Sequence, residues 1–383
     1  MLGYIIIYLV AMFSVLNTFK YEKRLGTATS LNIGKETTCL FVSNVMAVAL
    51  FTGFRDMIGG YDVYNYASYF YDCPFLLDLF NGNYSLINAS RFEPGYWFFN
   101  ILIKSIYNNH YFLFLSSAFL SYLLIGLCIK RYNNPIFIFF IFISKFLIVG
   151  FAYNRQFISI AIVWWALKFL EKEKLKKFIL CVFIASTFHF GALIVLPLVL
   201  IYKTKFKEYI IFFMLAICLF LGLSPALPVL QEIASGVLGI EKLMTYAEQG
   251  TSEIHIFYLL ESLFLIICVI VYRKKLYSTN KNTEILIFNI LIIYLCCCLL
   301  TLRTPGVIRY SWFFSIGYIV YFPRFVYYLV KDKAAFFFIV LLYFSGVYYR
   351  NYSLRDGGNY IPYKFFFLDY PERKDIHNIY FLN

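Results

Sequence analysis

The feature that most constrains this chain is a succession of long apolar runs, separated by short polar segments, along nearly its whole length. A helix needs about 20 largely apolar residues to cross the hydrocarbon core of a bilayer. The candidate runs are Leu2–Phe19, Thr38–Phe54, His110–Ile129, Pro135–Phe151, Gln156–Leu170, Phe178–Tyr202, Tyr209–Pro225, Ile256–Tyr272, Ile285–Leu302, Val307–Pro323 and Ala334–Tyr348. Only 14% of the 383 residues are charged, against about a quarter in soluble domains. The pattern predicts an all-α, polytopic integral membrane protein with about 11 helical passes.

Lysine and arginine between the runs indicate how the passes are oriented, because short cytoplasmic loops collect these residues. Six clusters are present: Lys20/Lys23/Arg24/Lys35, Lys130/Arg131, Lys172/Lys174/Lys176/Lys177, Lys203/Lys205/Lys207, Arg273/Lys274/Lys275/Lys281 and Arg324/Lys331/Lys333. All six can face the cytoplasm if the run Phe178–Tyr202 enters and returns on one side. The sequence therefore predicts a re-entrant or broken hairpin that turns near His189 and Gly191. A single tilted helix, with Lys203, Lys205 and Lys207 outside, is the alternative.

This assignment predicts one transmembrane domain over residues 1–349, with outer loops at 55–95 and 226–254 and an outward-facing tail at 350–383. The net charge of +13 is explained by the orienting lysines and arginines, so no nucleic acid partner is expected. The nine cysteines show no paired spacing of the kind that binds zinc, and no nucleotide-binding loop or Asp-x-Asp pair is present. The sequence predicts no metal and no cofactor.

Five arginines stand at the outer ends of apolar runs, where the orientation rule does not require them: Arg55, Arg91, Arg155, Arg303 and Arg309. An arginine at membrane depth costs roughly 2.5–3.5 kcal/mol on insertion scales and is usually paired or functional. Between Arg303 and Arg309, Pro305 and Gly306 break the helix, and guanidinium groups beside such a turn suit a phosphate or pyrophosphate. Snorkelling to the interface, or pairing with acidic residues of the outer loops, is the alternative.

Two further features carry groups suited to proton transfer. His189 lies deep within an apolar run at the predicted turn, and its imidazole either forms a structural hydrogen bond or acts on a substrate hydroxyl. The first outer loop interleaves acidic residues with tyrosine and asparagine, a combination that suits carbohydrate but is also common in solvated loops. Asp62, Tyr64 and Glu93 are the candidates in that loop.

Short motifs in order along the chain resemble the EpsG family of bacterial polysaccharide polymerases, within the wider Wzy-like group. They are Gly53-Phe54-Arg55-Asp56, Gly60-Tyr61-Asp62-Val63-Tyr64-Asn65-Tyr66, Phe92-Glu93-Pro94-Gly95-Tyr96, Arg155-Gln156, Ala185-Ser186-Thr187-Phe188-His189, Arg309-Tyr310 and Tyr360-Ile361-Pro362-Tyr363-Lys364-Phe365. The resemblance covers nearly the whole chain.

The resemblance implies a GT-C-like fold and a metal-independent glycosyltransferase at the outer face of the bacterial cytoplasmic membrane. Such an enzyme joins oligosaccharide repeat units carried on undecaprenyl pyrophosphate, and releases undecaprenyl pyrophosphate, to build O-antigen, capsule or exopolysaccharide. The expected partners are those lipid-linked repeat units and membrane lipids, with a chain-length regulator left open. Other functions compatible with the residues are a lipid-linked sugar flippase or transporter, and another membrane transferase such as a ligase or acyltransferase.

The implied roles divide the candidate residues into three groups. Arg155, Arg303 and Arg309 are expected to bind pyrophosphate, where fixed guanidinium groups stabilise charge on the leaving group. His189, Asp62 and Glu93 are the candidates for taking the proton of the acceptor hydroxyl. Arg55, Tyr64 and Arg91 are expected to bind the acceptor sugar.

Overall fold

The computed structural model describes residues 2–25, 35–82, 91–224, 256–278, 281–303, 305–353 and 360–368, and most of them are helical. The helices are α1 (Leu2–Leu25), α2 (Lys35–Gly53), α3 (Tyr61–Asp72), α4 (Leu76–Phe80), α5 (Pro94–Ile106), α6 (His110–Ile129), α7 (Pro135–Ala152), α8 (Asn154–Glu171), α9 (Leu175–Ser186), α10 (Leu198–Ile201), α11 (Glu208–Leu223), α12 (Ile256–Tyr277), α13 (Asn282–Leu300), α14 (Ser315–Val330) and α15 (Lys333–Ser353). Two 3-10 helices cover Phe190–Val195 and Pro305–Phe314. Within the described ranges, β-type pairing is limited to one isolated bridge between Arg55 and Phe365.

Among the described residues, six helical segments are long and apolar enough to cross a membrane: His110–Ile129, Pro135–Ala152, Ile256–Tyr277, Asn282–Leu300, Val307–Val330 and Lys333–Tyr352. Shorter apolar helical segments are Leu2–Thr18, Thr37–Gly53, Phe190–Ile201 and Glu208–Leu223. The predicted all-α, polytopic architecture is confirmed. The predicted outer loop 226–254 and most of the predicted tail lie outside the described residues.

The chain forms two compact units. Unit 1 comprises residues 1–166, 180–192 and 337–383, and unit 2 comprises residues 167–179 and 193–336. In unit 1, α7 is almost entirely buried, because nearly every residue from Pro135 to Ala152 is apolar. Helices α2 and α6 approach closely at Gly53, where an added Cβ would lie 2.9 Å from the Cα of Leu115. In unit 2, a Cβ at Gly317 of α14 would lie 2.5 Å from the backbone nitrogen of Leu291 in α13.

The run Phe178–Tyr202 is broken, as the basic clusters at its two ends predicted. Helix α9 ends at Ser186, and the chain then turns through Thr187–His189 into the first 3-10 helix. The Thr187 hydroxyl donates to the Ile184 carbonyl at 2.7 Å, a local bond that competes with continuation of the helix. At the ends of the hairpin, the Lys203 Nζ lies 2.5 Å from the Glu173 carboxylate, so the chain returns to where it started. Helix α9 is about 18 Å long, which is less than the roughly 30 Å hydrocarbon core.

Four of the predicted cytoplasmic clusters meet at one end of unit 2, which is called the basic end below. Beyond the Glu173–Lys203 pair, the Asn282 Nδ2 donates to Glu173 at 3.0 Å. Arg273 donates to the Phe206 carbonyl at 2.7 Å, and the Lys275 Nζ lies 3.7 Å from the centre of the Tyr328 ring. These contacts join the segments 172–177, 203–207, 273–281 and 324–333, as a common side of the membrane requires.

Segments predicted to lie outside the membrane also meet, at one end of unit 1. The Tyr4 hydroxyl donates to the Tyr360 carbonyl at 2.7 Å, which joins the beginning of the chain to its late segment. The Phe366 N–H donates to the Phe54 carbonyl at 3.1 Å, and the Tyr111 hydroxyl donates to Asp56. The segment 360–368 therefore packs on the Gly53-Phe54-Arg55-Asp56 motif. Helix α15 continues past residue 350, where the tail was predicted to begin.

Candidate active site

Helix α3 begins after two glycines whose backbone conformation other residues rarely adopt. Gly59 and Gly60 have φ angles of 138° and 77°, in the region that disfavours other residues. A Cβ on Gly59 would also lie 2.6 Å from the Phe151 carbonyl oxygen at the end of α7. The turn fixes the start of α3 against α7. Asp62 then falls in the first helical turn, where a carboxylate is favoured by the helix dipole, and shares a face with Tyr66 four residues on.

Helix α5 begins at the Phe92-Glu93-Pro94-Gly95-Tyr96 motif and docks on the turn of the hairpin. The N–H groups of Gly95 and Tyr96 donate to the Thr187 carbonyl at 2.8 and 3.2 Å. These amides belong to the first helical turn, which has no intrahelical acceptors. A Cβ on Gly95 would lie 2.7 Å from the Cβ of Thr187, so the close approach depends on glycine. Two motifs nearly 100 residues apart are thus joined through backbone groups.

Glu93 connects three elements through its carboxylate. One oxygen pairs with the Arg155 Nη1 at the start of α8, and the other accepts the Phe190 N–H at 3.3 Å. The side chains of Glu93 and Arg155 are 23% and 17% exposed, so the pair lies at a surface that a ligand can reach. The Arg155 guanidinium lies 4.1 Å from the centre of the Phe92 ring, a cation–π contact that fixes its position. Its Nε is buried and has no hydrogen-bond partner among the described residues.

Tyr66 of α3 lies beside this pair, with its ring 6.0 Å from the Arg155 guanidinium carbon. Burial raises the pKa of Tyr66 to about 12, although the Arg155 charge acts in the opposite direction. The phenol therefore remains protonated at neutral pH and can donate a hydrogen bond.

His189 lies at the turn of the hairpin, three residues beyond the end of α9. Its Nδ1 accepts the N–H of Gly191 at 3.1 Å. In a neutral imidazole, an accepting Nδ1 leaves the proton on Nε2, so the outer nitrogen is a donor. Ser159 of α8 donates to the carbonyl of Ala185 at 2.9 Å and reaches that of His189 at 3.5 Å, which ties the turn to α8. This arrangement favours His189 as a donor to an oxygen over His189 as a proton acceptor.

Arg55 has a different environment from Arg155. It is completely buried, and its Nε, Nη1 and Nη2 donate to the carbonyls of Ile58, Thr52 and Phe151 at 2.9, 2.6 and 2.9 Å. Its guanidinium also packs on the Phe114 and Phe151 rings. All three nitrogens are used in closing the turn after α2. Contact of Arg55 with an acceptor sugar stays a prediction, and it would require one of these bonds to be exchanged.

The other predicted sugar-binding residues lie on or beside α3. Arg91 is exposed, with its Nη1 3.7 Å from the Asp72 carboxylate and its Nη2 3.5 Å from the Asn65 Oδ1. Tyr64 is 8% exposed, so little of its ring is available to a ligand in this structure. A sugar-binding role for either residue stays a prediction.

The Arg303 and Arg309 pair belongs to unit 2. Arg303 follows α13, and its buried Nε has no hydrogen-bond partner among the described residues. Arg309 lies on the 3-10 helix Pro305–Phe314. The chain thus forms a 3-10 helix, and not a continuous α-helix, at Pro305 and Gly306, where the sequence predicted a break. Unit 1 thus brings together Glu93, Arg155, His189 and α3 with Asp62. A pyrophosphate pocket shared by Arg155, Arg303 and Arg309 stays a prediction.

Several residues of this site were not identified from the sequence. Phe92 and Tyr66 hold the Arg155 guanidinium, the Phe190 N–H binds Glu93, and Thr187 anchors α5 through its carbonyl. Backbone groups carry no sequence signal. An aromatic residue directly before Glu93 was the one available indication of a ring beside the cation.

In the part of the chain that the structure describes, no three His, Cys, Asp or Glu side chains are grouped so that they could hold a metal ion. The predicted metal independence of the reaction stays a prediction.

Comparison with known proteins gives one match. The model of the EpsG family matches residues 38–365, which include most of α2, all of α3 to α15, the hairpin and the first part of the late segment 360–368. No curated protein and no solved structure matches the chain. The predicted GT-C-like architecture therefore stays a prediction. The matched region covers more than half of the sequence and contains Glu93, Arg155 and His189, and on this ground the chain belongs to the EpsG family.

Proposed function

We propose that this protein is a polysaccharide polymerase of the bacterial cytoplasmic membrane. It joins oligosaccharide repeat units carried on undecaprenyl pyrophosphate at the outer face of that membrane. The observation that carries the proposal is the meeting of three motifs: Glu93 directly before α5, Arg155 of α8 and the hairpin turn are in direct contact. Family membership supports a polymerase-like membrane protein.

The reaction transfers the growing chain from its lipid diphosphate to the incoming repeat unit. An acceptor hydroxyl oxygen attacks the anomeric carbon of the donor, and the bond from that carbon to the diphosphate oxygen breaks. Undecaprenyl pyrophosphate leaves with the bonding electron pair. Fixed cations lower the barrier because they stabilise the charge that develops on the leaving group. We assign this role to Arg155, together with Arg303 and Arg309.

The acceptor hydroxyl loses its proton during the transfer, and a carboxylate at the site can take it. Glu93 is our first candidate, because its side chain is partly exposed beside Arg155. Asp62 is the second, on the face of α3 that also carries Tyr66. We assign His189 to donation of a hydrogen bond from Nε2 to a sugar or phosphate oxygen, since Nδ1 accepts the Gly191 amide.

A flippase or transporter for lipid-linked sugars also needs many helices and basic residues. It would require a cavity that opens alternately to both sides, and it forms no new glycosidic bond. A membrane ligase or acyltransferase also takes its group from a lipid donor, but it transfers that group only once. The products of the reaction therefore distinguish these functions.

The experiment is to incubate the purified full-length protein, in lipid nanodiscs, with lipid-linked repeat units and to separate the products by size. The proposal predicts a ladder of chain lengths and release of undecaprenyl pyrophosphate. A single added unit would indicate a ligase. Unchanged repeat units, with active protein confirmed by binding of the substrate, would contradict the proposal.

A further inference from the structure

We propose that Glu93 is an internal anion that occupies Arg155 until a diphosphate binds, and that this exchange releases the Glu93 carboxylate to accept a hydrogen bond from the acceptor hydroxyl. The inference rests on the proposed function, because it describes how the same site couples donor binding to acceptor binding. The ligand class is a diphosphate, either as a lipid headgroup or as free pyrophosphate.

The first support is the way in which the Glu93 carboxylate is held. One oxygen is paired with Arg155 and the other accepts the backbone N–H of Phe190, so both oxygens already have a donor. The hydrogen bond from the Phe190 N–H to Glu93 is 3.3 Å long, slightly longer than usual for an N–H···O bond, and Phe190 itself is exposed. The Glu93 side chain can therefore leave without unfolding a buried core.

The second support is that Arg155 is fixed independently of Glu93. Its guanidinium lies on the Phe92 ring, and residue 155 is in the first turn of α8. Its buried Nε donor has no acceptor among the described residues, although buried polar groups are normally hydrogen-bonded. The neighbouring Asn154 is 3% exposed, and its Nδ2 also has no acceptor there. Two adjacent residues thus retain buried donors that phosphate oxygens can satisfy.

The charges beside the pair determine what happens when a diphosphate arrives. Glu93 contacts Arg155 from α8, and the Tyr66 ring of α3 lies 6.0 Å from the Arg155 guanidinium carbon. A diphosphate on Arg155 takes away the attraction that holds Glu93 in place and adds a like charge beside it. Both changes favour release of the carboxylate.

The exchange sets the order of the steps. With donor bound, the released Glu93 carboxylate accepts a hydrogen bond from the acceptor hydroxyl, and it takes the proton as the new bond from that oxygen to the anomeric carbon forms. The bond to the diphosphate breaks, and the lipid diphosphate departs with the electron pair. The proton then passes from Glu93 to water, and Arg155 pairs with Glu93 again. An acceptor hydroxyl is engaged only while a donor is present.

The test measures pyrophosphate binding. Calorimetry of the full-length protein in nanodiscs, near pH 7, gives the dissociation constant of inorganic pyrophosphate. A short-chain prenyl diphosphate in the same nanodiscs shows whether the lipid matters. For the native protein we expect binding that requires Arg155.

The decisive variant is Glu93→Gln, which keeps the shape of the side chain but removes the internal anion. We expect it to bind pyrophosphate about tenfold more tightly, because the anion that competes for Arg155 is gone, and a factor of ten corresponds to about 1.4 kcal/mol. Glu93→Asp retains a carboxylate and should bind pyrophosphate more weakly than Glu93→Gln does. Glu173→Gln is the matched control, because Glu173 also pairs with a cation, Lys203, at the basic end.

The outcomes separate this inference from the proposed function. If Glu93→Gln binds pyrophosphate with native affinity, Glu93 is not the internal anion, although Arg155 can still be the diphosphate site. If Glu93→Gln is folded but binds more weakly, Glu93 contributes to binding and the exchange is also excluded. Loss of Arg155 without effect on binding would instead contradict the proposed function.

Discussion

Arg55 and Arg155 are marked by the same sequence anomaly, an arginine at the outer end of an apolar run, and the structure gives them opposite environments. Arg55 is completely buried, and its three nitrogens donate to three backbone carbonyls. Arg155 is 17% exposed, is paired with one carboxylate and retains a buried donor without an acceptor among the described residues. The first arrangement stabilises a turn, and the second can accept a ligand. Hydrogen-bond satisfaction therefore separates two arginines that their positions in the sequence do not, and on this ground we propose a structural role for Arg55 and a functional one for Arg155.

The largest expected effect is that of Arg155→Ala on polymer synthesis. Loss of one charge-stabilising donor typically costs a factor of about 10² to 10³ in turnover. The variant should still fold, because the guanidinium is partly exposed and closes no backbone turn. Polymer formed per folded molecule, with folding measured by thermal unfolding in nanodiscs, gives the comparison. Arg155→Lys should restore only part of the rate, since an ammonium cannot bind a phosphate through a planar pair of donors.

The second prediction is that substitution of Arg55 lowers stability, whereas substitution of Arg155 is expected to lower turnover in a protein that still folds. In Arg55→Ala, three carbonyls lose their donor, and we expect the free energy of unfolding to fall by roughly 3 to 5 kcal/mol. Lower yield and a lower unfolding temperature are the readouts. Lys130→Ala, at an exposed position after α6, is the control and should leave both unchanged. A stable Arg55→Ala protein without activity would show that Arg55 is functional and that the comparison is wrong.

The third and smallest effect is expected for Gly95→Ala, which tests the docking of α5 on the hairpin. The added methyl group would overlap Thr187, and overpacking of this kind costs about 1–3 kcal/mol. Glu93 would then be displaced from Arg155, so activity should fall more than stability does. Gly346→Ala is the matched control, because an added Cβ on α15 meets no atom within 4 Å. Equal activity of the two variants would show that the α5 contact is not needed.

Much of the fold could be predicted from the sequence, because the helices of a membrane protein follow from apolar length and their orientation from basic residues. The break at Thr187–His189 was predicted from lysines at both ends of one run, and the Glu173–Lys203 contact agrees with it. Helix α5 was not predicted, since its 13 residues are too few to span a bilayer and include Asn100 and Lys104. Burial of Lys104 is possible because its ammonium group donates hydrogen bonds to two carbonyls, those of Tyr71 and Cys73.

The site could be predicted only in part. The sequence prediction named Arg155, Glu93 and His189, and the structure brings these three residues to one region of unit 1. Their roles stay predictions. Their pairing could not be predicted, because it depends on backbone contacts between Gly95 and Thr187 and on the Phe190 N–H. The role of Arg55 was beyond sequence reasoning for the same reason, as its partners are main-chain carbonyls.

The most direct test of the account is photolabelling with a prenyl diphosphate that carries a diazirine next to its diphosphate. The full-length protein in nanodiscs would be labelled, digested and analysed by mass spectrometry, with and without excess pyrophosphate. The account predicts labelling of peptides containing Phe92–Tyr96 and Asn154–Phe157, which is abolished by pyrophosphate and by Arg155→Ala but persists in a folded Arg55→Lys variant. Labelling that avoids both peptides, or that is unchanged by Arg155→Ala, would contradict it.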